Sequence, residues 1–277
     1  MHLKIENKHN QEIFVALFQL LKKSSDHISI HFEKTHLYIQ SMDKSHVCLA
    51  NININSNWFT LYECTTDTKI SVDSNQLCSL MNYSLKHDIV EFIFDNDVNP
   101  DKLYINFLND KNKDKIVEAK GSKEKSKDKT VKTSFDHFFE LSLIDVEEDT
   151  LGIPQVDYDV ECNIDAKRLV EVLNELETFG SEINIQCNEN KIELSANGGP
   201  TKLNVTIPVD ELNEYAIADD EEFNLSYSLM HICQMCATSK LSNTINIMLS
   251  AEYPLAFKYD LGDQSYAVFY IAPKVVD

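Results

Sequence analysis

Apolar side chains at Phe14, Leu17, Phe18 and Leu21 recur at i, i+3, i+4 and i+7, the spacing that gathers one face of an α-helix. A helix over Gln11 to Ser24 is therefore expected. Beyond it the period falls to two: Ile28, Ile30 and Phe32, then Leu37 and Ile39, alternate with polar residues on either side of a turn, which predicts two half-buried strands. The same order returns 155 positions later without a gap. Leu169, Val172, Leu173 and Leu176 repeat the stripe, Ile183, Ile185 and Cys187 the first strand, and Ile192 and Leu194 the second. The chain is read as two copies of one α+β unit, each opening with a helix laid on an antiparallel sheet.

A second helix per half is expected at Ser74 to Lys86 and at Phe223 to Thr238, followed by alternating strands over Ile89 to Phe94 and Thr244 to Leu249. Between the halves, Ile144 to Tyr158 carries a run of acids, Gly152 and Pro154, which discourage a regular element. The expected organisation is a domain over 1–143, a connector over 144–158 and a domain over 159–277. A lysine-rich tract at 111–132 is expected to be a solvated insertion in the first domain.

Composition narrows the class. With 277 residues, 43% of them hydrophobic, the chain can bury two cores of roughly 120 to 140 residues each. No apolar run approaches the roughly 20 residues of a membrane helix and no signal-peptide pattern opens the chain, so an intracellular protein away from membranes is expected. Seven scattered cysteines fit buried thiols better than a disulfide framework. The net charge of -20 opposes nucleic-acid binding at long range. Its distribution matters more: residues 111–132 hold nine lysines against Asp114, Glu118, Glu124 and Asp128, so the remainder carries -25.

Catalytic signatures are missing. The six glycines form no phosphate loop or dinucleotide fingerprint, and no nucleophile elbow or zinc-protease pattern occurs, so no enzyme and no cofactor is expected. Asp95-Asn-Asp97-Val-Asn99-Pro-Asp101 imitates a calcium loop, but Pro100 stands where the turn glycine belongs and Asn106 where the bidentate glutamate belongs. His231, Cys233 and Cys236 lack a second ligand pair for zinc, and packing is the better reading. Trp58, Phe59 and Tyr62 are read as packing residues of an imperfect strand.

Ser41-Met-Asp-Lys-Ser-His-Val47 resembles a loop of proliferating cell nuclear antigen, the eukaryotic sliding-clamp family. The likeness runs in order through Tyr62-x-Cys64, Asp145, Leu151 to Pro154, Ser250-Ala251, Pro254-Leu255 and Ala272-Pro273-Lys274. It implies the DNA-clamp (processivity) fold: two similar domains, each with two helices on antiparallel sheets, closed head to tail into a homotrimer around double-stranded DNA. It also implies a DNA polymerase and other replication and repair proteins as partners, held by short peptides, an ATP-dependent clamp loader, and residence in the nucleus or a viral replication compartment. The implied partner groove comprises Met42, His46, Val47 and Leu49 from the first domain, and Leu151, Ile153, Pro154 and Tyr158 from the connector. Pro254, Tyr270, Ala272, Pro273 and Lys274 complete it, the backbone of Ala272 to Lys274 being assigned to polar contacts with the peptide. Subunits are expected to pair through Phe135 to Leu143 and Thr201 to Ile207, with Phe139, Leu141, Leu203 and Val205 at the interface.

The expected channel helices depart from that family. Their basic residues are Lys22, Lys23, Lys86, Lys167 and Arg168, offset by Glu12, Asp165, Glu171, Glu175 and Glu177. Weak DNA contact with a shallow salt dependence follows. Two alternatives stay open: a monomeric or dimeric clamp-like processivity subunit, and an acidic DNA mimic that occupies clamp partners.

Overall fold

A computed structural model describes residues 1–110, 135–146, 150–218, 221–236 and 238–274. The lysine tract lies outside the described residues. Helix α1 (Lys8–Ser24) starts where the Asn7 side chain accepts from the His9 and Asn10 amides, a cap contributing about 1 kcal/mol. Its predicted stripe is shut off from water, with Phe14, Leu17, Phe18 and Leu21 all at or below 1% exposure, and each such burial contributes roughly 1.5–3 kcal/mol. Helices α2 (Ser74–Ser84) and α3 (Ala166–Glu177) are capped alike, by Asp73 and Asp165. Helix α4 (Leu229–Cys236) corrects the expectation of one helix over Phe223 to Thr238. Its first six residues are a strand instead, with Phe223 and Tyr227 turned into the core.

In the first half β1 (His2–Ile5), β2 (His27–Phe32), β3 (His36–Met42), β4 (Cys48–Asn55) and β5 (Leu61–Glu63) are followed by β6 (Thr68–Asp73), β7 (Ile89–Ile93), β8 (Lys102–Leu108) and β9 (His137–Ser142). The second half supplies β10 (Val160–Asp165), β11 (Glu182–Asn188), β12 (Lys191–Asn197), β13 (Lys202–Pro208) and β14 (Glu214–Ile217). It continues with β15 (Phe223–Ser228), β16 (Thr244–Leu249), β17 (Leu255–Gly262) and β18 (Ser265–Ile271). Each half builds one sheet of the order β5-β1-β7-β8-β9 or β14-β10-β16-β17-β18, and one of the order β4-β3-β2-β6 or β13-β12-β11-β15.

The two halves are joined in register. Strand β18 of the second half pairs antiparallel with β4 of the first, fusing two of these sheets into one of nine strands. The counterparts of β18 and β4 are β9 and β13, and both are left as edges. The 155-residue offset persists far beyond the hairpins. It carries β6 onto β15, the start of α2 onto the start of α4, and the bond from the Ser74 amide to the Asp26 carbonyl onto that from Leu229 to Ser181.

Trp58 corrects a smaller expectation: it closes a single 3-10 turn (Ser56–Trp58), not a strand, and its indole donates to the Leu261 carbonyl at 2.9 Å. With Phe14, Phe18, Phe59 and Phe92 it forms an aromatic cluster in which Trp58 meets Phe59 edge-to-face and Phe14 at a tilt. The acidic Asp95 to Asp101 segment is a turn in which Asp95 accepts from the Asp97 and Val98 amides.

Candidate partner-binding groove

Strand β3 leads into a loop organised by one carboxylate. Asp43, 9% exposed, accepts from the Val47 amide at 2.8 Å and the Cys48 amide at 2.5 Å with one oxygen, and from the Ser45 amide at 3.1 Å and the Ser45 hydroxyl with the other. Burial pushes this carboxyl upward, but the Ser45 hydroxyl and the Cys48, Ser45 and Val47 amides outweigh it and hold the group below the usual carboxylate range. The closed loop forces His46 to φ 56°, a left-handed conformation, and turns Met42, His46 and Val47 to one side.

The second domain meets this loop directly. The Ala272 amide donates to the Val47 carbonyl at 2.9 Å, and Tyr270 pairs with Leu49 across the β18–β4 junction. Over both runs the connector, held at one point by Gln40: its amide donates to the Leu151 carbonyl at 2.9 Å and its carbonyl accepts from the Leu151 amide at 2.6 Å. The result is a groove of about 340 Å³ walled by the loop, by Leu151, Ile153, Pro154 and Tyr158 of the connector, and by Pro254, Tyr270 and Ala272 of the second domain. Its walls are apolar almost throughout. Burial pushes the Tyr270 hydroxyl up to about 12 and raises that of Tyr158, so both stay neutral.

The groove gathers every predicted lining residue except Pro273 and Lys274. It also includes Gly152, Val156 and Tyr253, which sequence reasoning missed. Val156 could have been found as the apolar i, i-2 neighbour of Tyr158, and Tyr253 as the aromatic before Pro254. The polar role expected of the Ala272 to Lys274 backbone falls to acceptors alone. The Ala272 amide is committed to Val47 and the Lys274 amide to Ser226, proline has no N–H, and Lys274 Nζ pairs with Glu182 at 3.0 Å. Only carbonyl oxygens of that stretch remain to meet a ligand.

The other predicted sites are dispersed. Lys22 and Lys23 end α1, Lys86 follows α2 with its Nζ 6.0 Å from the centre of the Tyr83 ring, and Lys167 opens α3. Arg168 pairs with Glu211 at 2.8 Å, both side chains remaining exposed. Among the interface candidates Phe139, Leu203 and Val205 are half-buried, whereas Leu141 is 3% exposed and belongs to its own domain's core. What β9 presents outward is Phe138, 70% exposed, a residue that was not among the interface candidates.

Residues 4–132 match the family description "Proliferating cell nuclear antigen, N-terminal domain" and residues 152–274 match "Proliferating cell nuclear antigen, C-terminal domain". The chain belongs to the proliferating cell nuclear antigen family. Relatives include the proliferating cell nuclear antigen of Chaetomium thermophilum, 28% identical over 86% of this chain and 85% of that one. Proliferating cell nuclear antigen 2 of Plasmodium falciparum is 24% identical over 96% of this chain and 97% of its own length. The fold is that of the crystal structure of the Thermococcus kodakaraensis protein, with a TM-score of 0.81 at 16% identity over 99% of both chains. Proliferating cell nuclear antigens are non-enzymatic DNA sliding clamps, processivity factors of replication, and this chain is one of them.

Proposed function

We propose that this clamp closes as a homotrimeric ring around duplex DNA and recruits DNA polymerase and other replication and repair proteins through the connector groove. The observation that carries the recruiting role is the groove itself. An apolar trough walled by both domains and the connector suits a short helical turn bearing aliphatic and aromatic anchors, the helix-in-groove mode of recognition. Tethering then raises the polymerase's effective concentration at the primer end. An ATP-dependent loader would open the ring, and the nucleus, or a viral replication compartment, is the proposed site of action.

Ring closure is supported by the internal repeat. Leu141 and Phe139 stand on β9 where Ile271 and Phe269 stand on β18, and Leu203 and Lys202 stand on β13 where Ala50 and Leu49 stand on β4. Applying the β18–β4 register to the free edges sets Phe139 opposite Leu203, Glu140 opposite Lys202, and Phe138 opposite Asn204 of the next subunit. An apolar contact and an ion pair then fall into place, and two exposed edges vanish. The sparse positive charge of the helices fits a topological tether better than a contact-driven grip.

The test is light scattering at micromolar concentration together with primer extension on long templates with a loader present. A mass of three chains and longer products are expected. A stable monomer, or no gain in product length, would overturn the ring.

A further inference from the structure

His231 lies outside the groove yet reaches the loop that builds it. Its Nε2 is 2.9 Å from the Ser45 hydroxyl and 3.5 Å from the Asp43 carboxylate, and its Nδ1 is 2.7 Å from the Ser228 hydroxyl. The side chains of His231 and Asp43 are 14% and 11% exposed. One proton arrangement satisfies the whole set: Ser228 donates to Nδ1, Nε2–H donates to the Ser45 oxygen, and the Ser45 hydroxyl donates to Asp43. Asp43 in turn receives the Val47 and Cys48 amides that shape the docking loop. A relay of four side chains therefore runs from the first turn of α4, in the second domain, to the wall of the groove in the first.

The internal repeat shows that the fold itself does not demand this relay. At the 155-residue offset, Gln76 replaces His231, Gly198 replaces Asp43 and Pro200 replaces Ser45. The hydrogen-bonding chain is absent from the copy whose β12–β13 turn builds no apolar groove, and present in the copy whose loop does.

We infer that His231 is a positioning residue for the docking loop, setting the affinity of the groove for a partner peptide through Ser45 and Asp43 without touching that peptide. The inference rests on the groove reading and extends it to regulation: a change at α4, one of the proposed channel helices, reaches the partner site through one imidazole. Buried polar networks of this kind give more when complete than their separate bonds suggest, and lose most when one member is removed.

The probe is a fluorescein-labelled synthetic peptide presenting one aliphatic and two aromatic anchors in a single helical turn, measured by anisotropy against the full chain. His231→Ala is expected to weaken it about tenfold, in line with the loss of a charge-linked hydrogen bond, while His231→Gln, which keeps a donor near the Nε2 position, stays within about threefold. Ser45→Ala should reproduce the loss, and the double variant should be no weaker than either single one. Amide hydrogen exchange of the free protein should accelerate at Ser45, Val47 and Cys48 in His231→Ala and remain unchanged in α1. Wild-type affinity in His231→Ala, additive losses in the double variant, or unaltered exchange in the loop would each overturn the relay. Failure of the unaltered protein to bind the peptide would instead remove the groove reading.

Discussion

Gln40 is the residue whose removal tests the groove most directly. Among the described residues, connector positions 150–158 receive no hydrogen bond from the rest of the fold except the pair that Gln40 makes with Leu151. Replacing it by alanine deletes both bonds, together with the donation from the Gln40 side chain to the Tyr38 hydroxyl at 3.0 Å, and leaves the apolar contacts intact. Each such bond contributes about 0.5–1.5 kcal/mol net, and because Leu151 is 51% exposed the lower half of that range applies, giving roughly 1–2 kcal/mol for the pair. The free connector would then sample positions in which the groove lacks a wall, and apparent affinity falls by the fraction still competent. Peptide binding should weaken about 5- to 30-fold, at about 1.4 kcal/mol per decade, with faster amide exchange at Leu151 and a melting temperature that hardly moves, since no core residue has changed. Gln40→Glu keeps the acceptor for the Leu151 amide but loses the donor, and should fall between. Unchanged affinity in Gln40→Ala would mean that the connector is held by its apolar contacts alone, and the reasoning would fail.

Other outcomes follow from the same structure. Glu140→Lys should weaken the trimer in light scattering by placing like charges opposite one another at every junction, and adding Lys202→Glu should restore it; no rescue would refute the register. Phe138→Asp should likewise shift the mass toward monomer without lowering the melting temperature of the isolated chain. Burial pushes the thiols of Cys48, Cys162, Cys187 and Cys233 up to about 12 from 9.0. Because the folded state favours the protonated thiol, this contribution is intact below about pH 9 and lost as the pH climbs toward 12, so the urea midpoint should drop over that window. Constant stability up to pH 11 would contradict it. Finally, Lys22→Ala and Lys167→Ala should each flatten the salt dependence of DNA association by about one unit of slope, whereas Arg168→Ala, already paired with Glu211, should change it little. Equal effects of all three would show that the Arg168 pair opens on DNA.

What could be read before folding depended on whether a feature was local. The stripe of α1 and the hairpins after it were legible because each is a short periodic pattern, and the repeat doubled the evidence. Phe223 to Ser228 misled because its apolar residues run without a break into Leu229, Met230 and Ile232, so a strand and a helix merged into one apparent period. Carrying the offset as far as Thr68–Asp73 would have separated them. The groove was reached through a resemblance, since its walls come from the docking loop, the connector and the second domain, which lie far apart along the chain. Neither the Gln40 clasp nor the His231 relay had any local signal. Both join residues whose proximity exists only after the β18–β4 junction has formed.

That junction also explains why, among the described residues, the duplicated fold builds the proposed partner groove in one copy and not in the other. The frame that surrounds the groove recurs at the free edges, with Glu140 in the place of Tyr270, Lys202 in that of Leu49, Ser142 in that of Ala272 and Lys102 in that of Pro254. Three apolar walls have become a glutamate between two lysines, and Lys102 already pairs with Glu140 inside one chain. Such a surface cannot bury the anchors of a helical peptide without stranding charge, but it can select one edge strand by sign and register. The two copies of the junction have therefore parted company chemically while keeping one backbone. One copy is closed within the chain and is free to specialise for partners; the other, in the proposed ring, closes between chains, its charges favouring a second copy of the same protein.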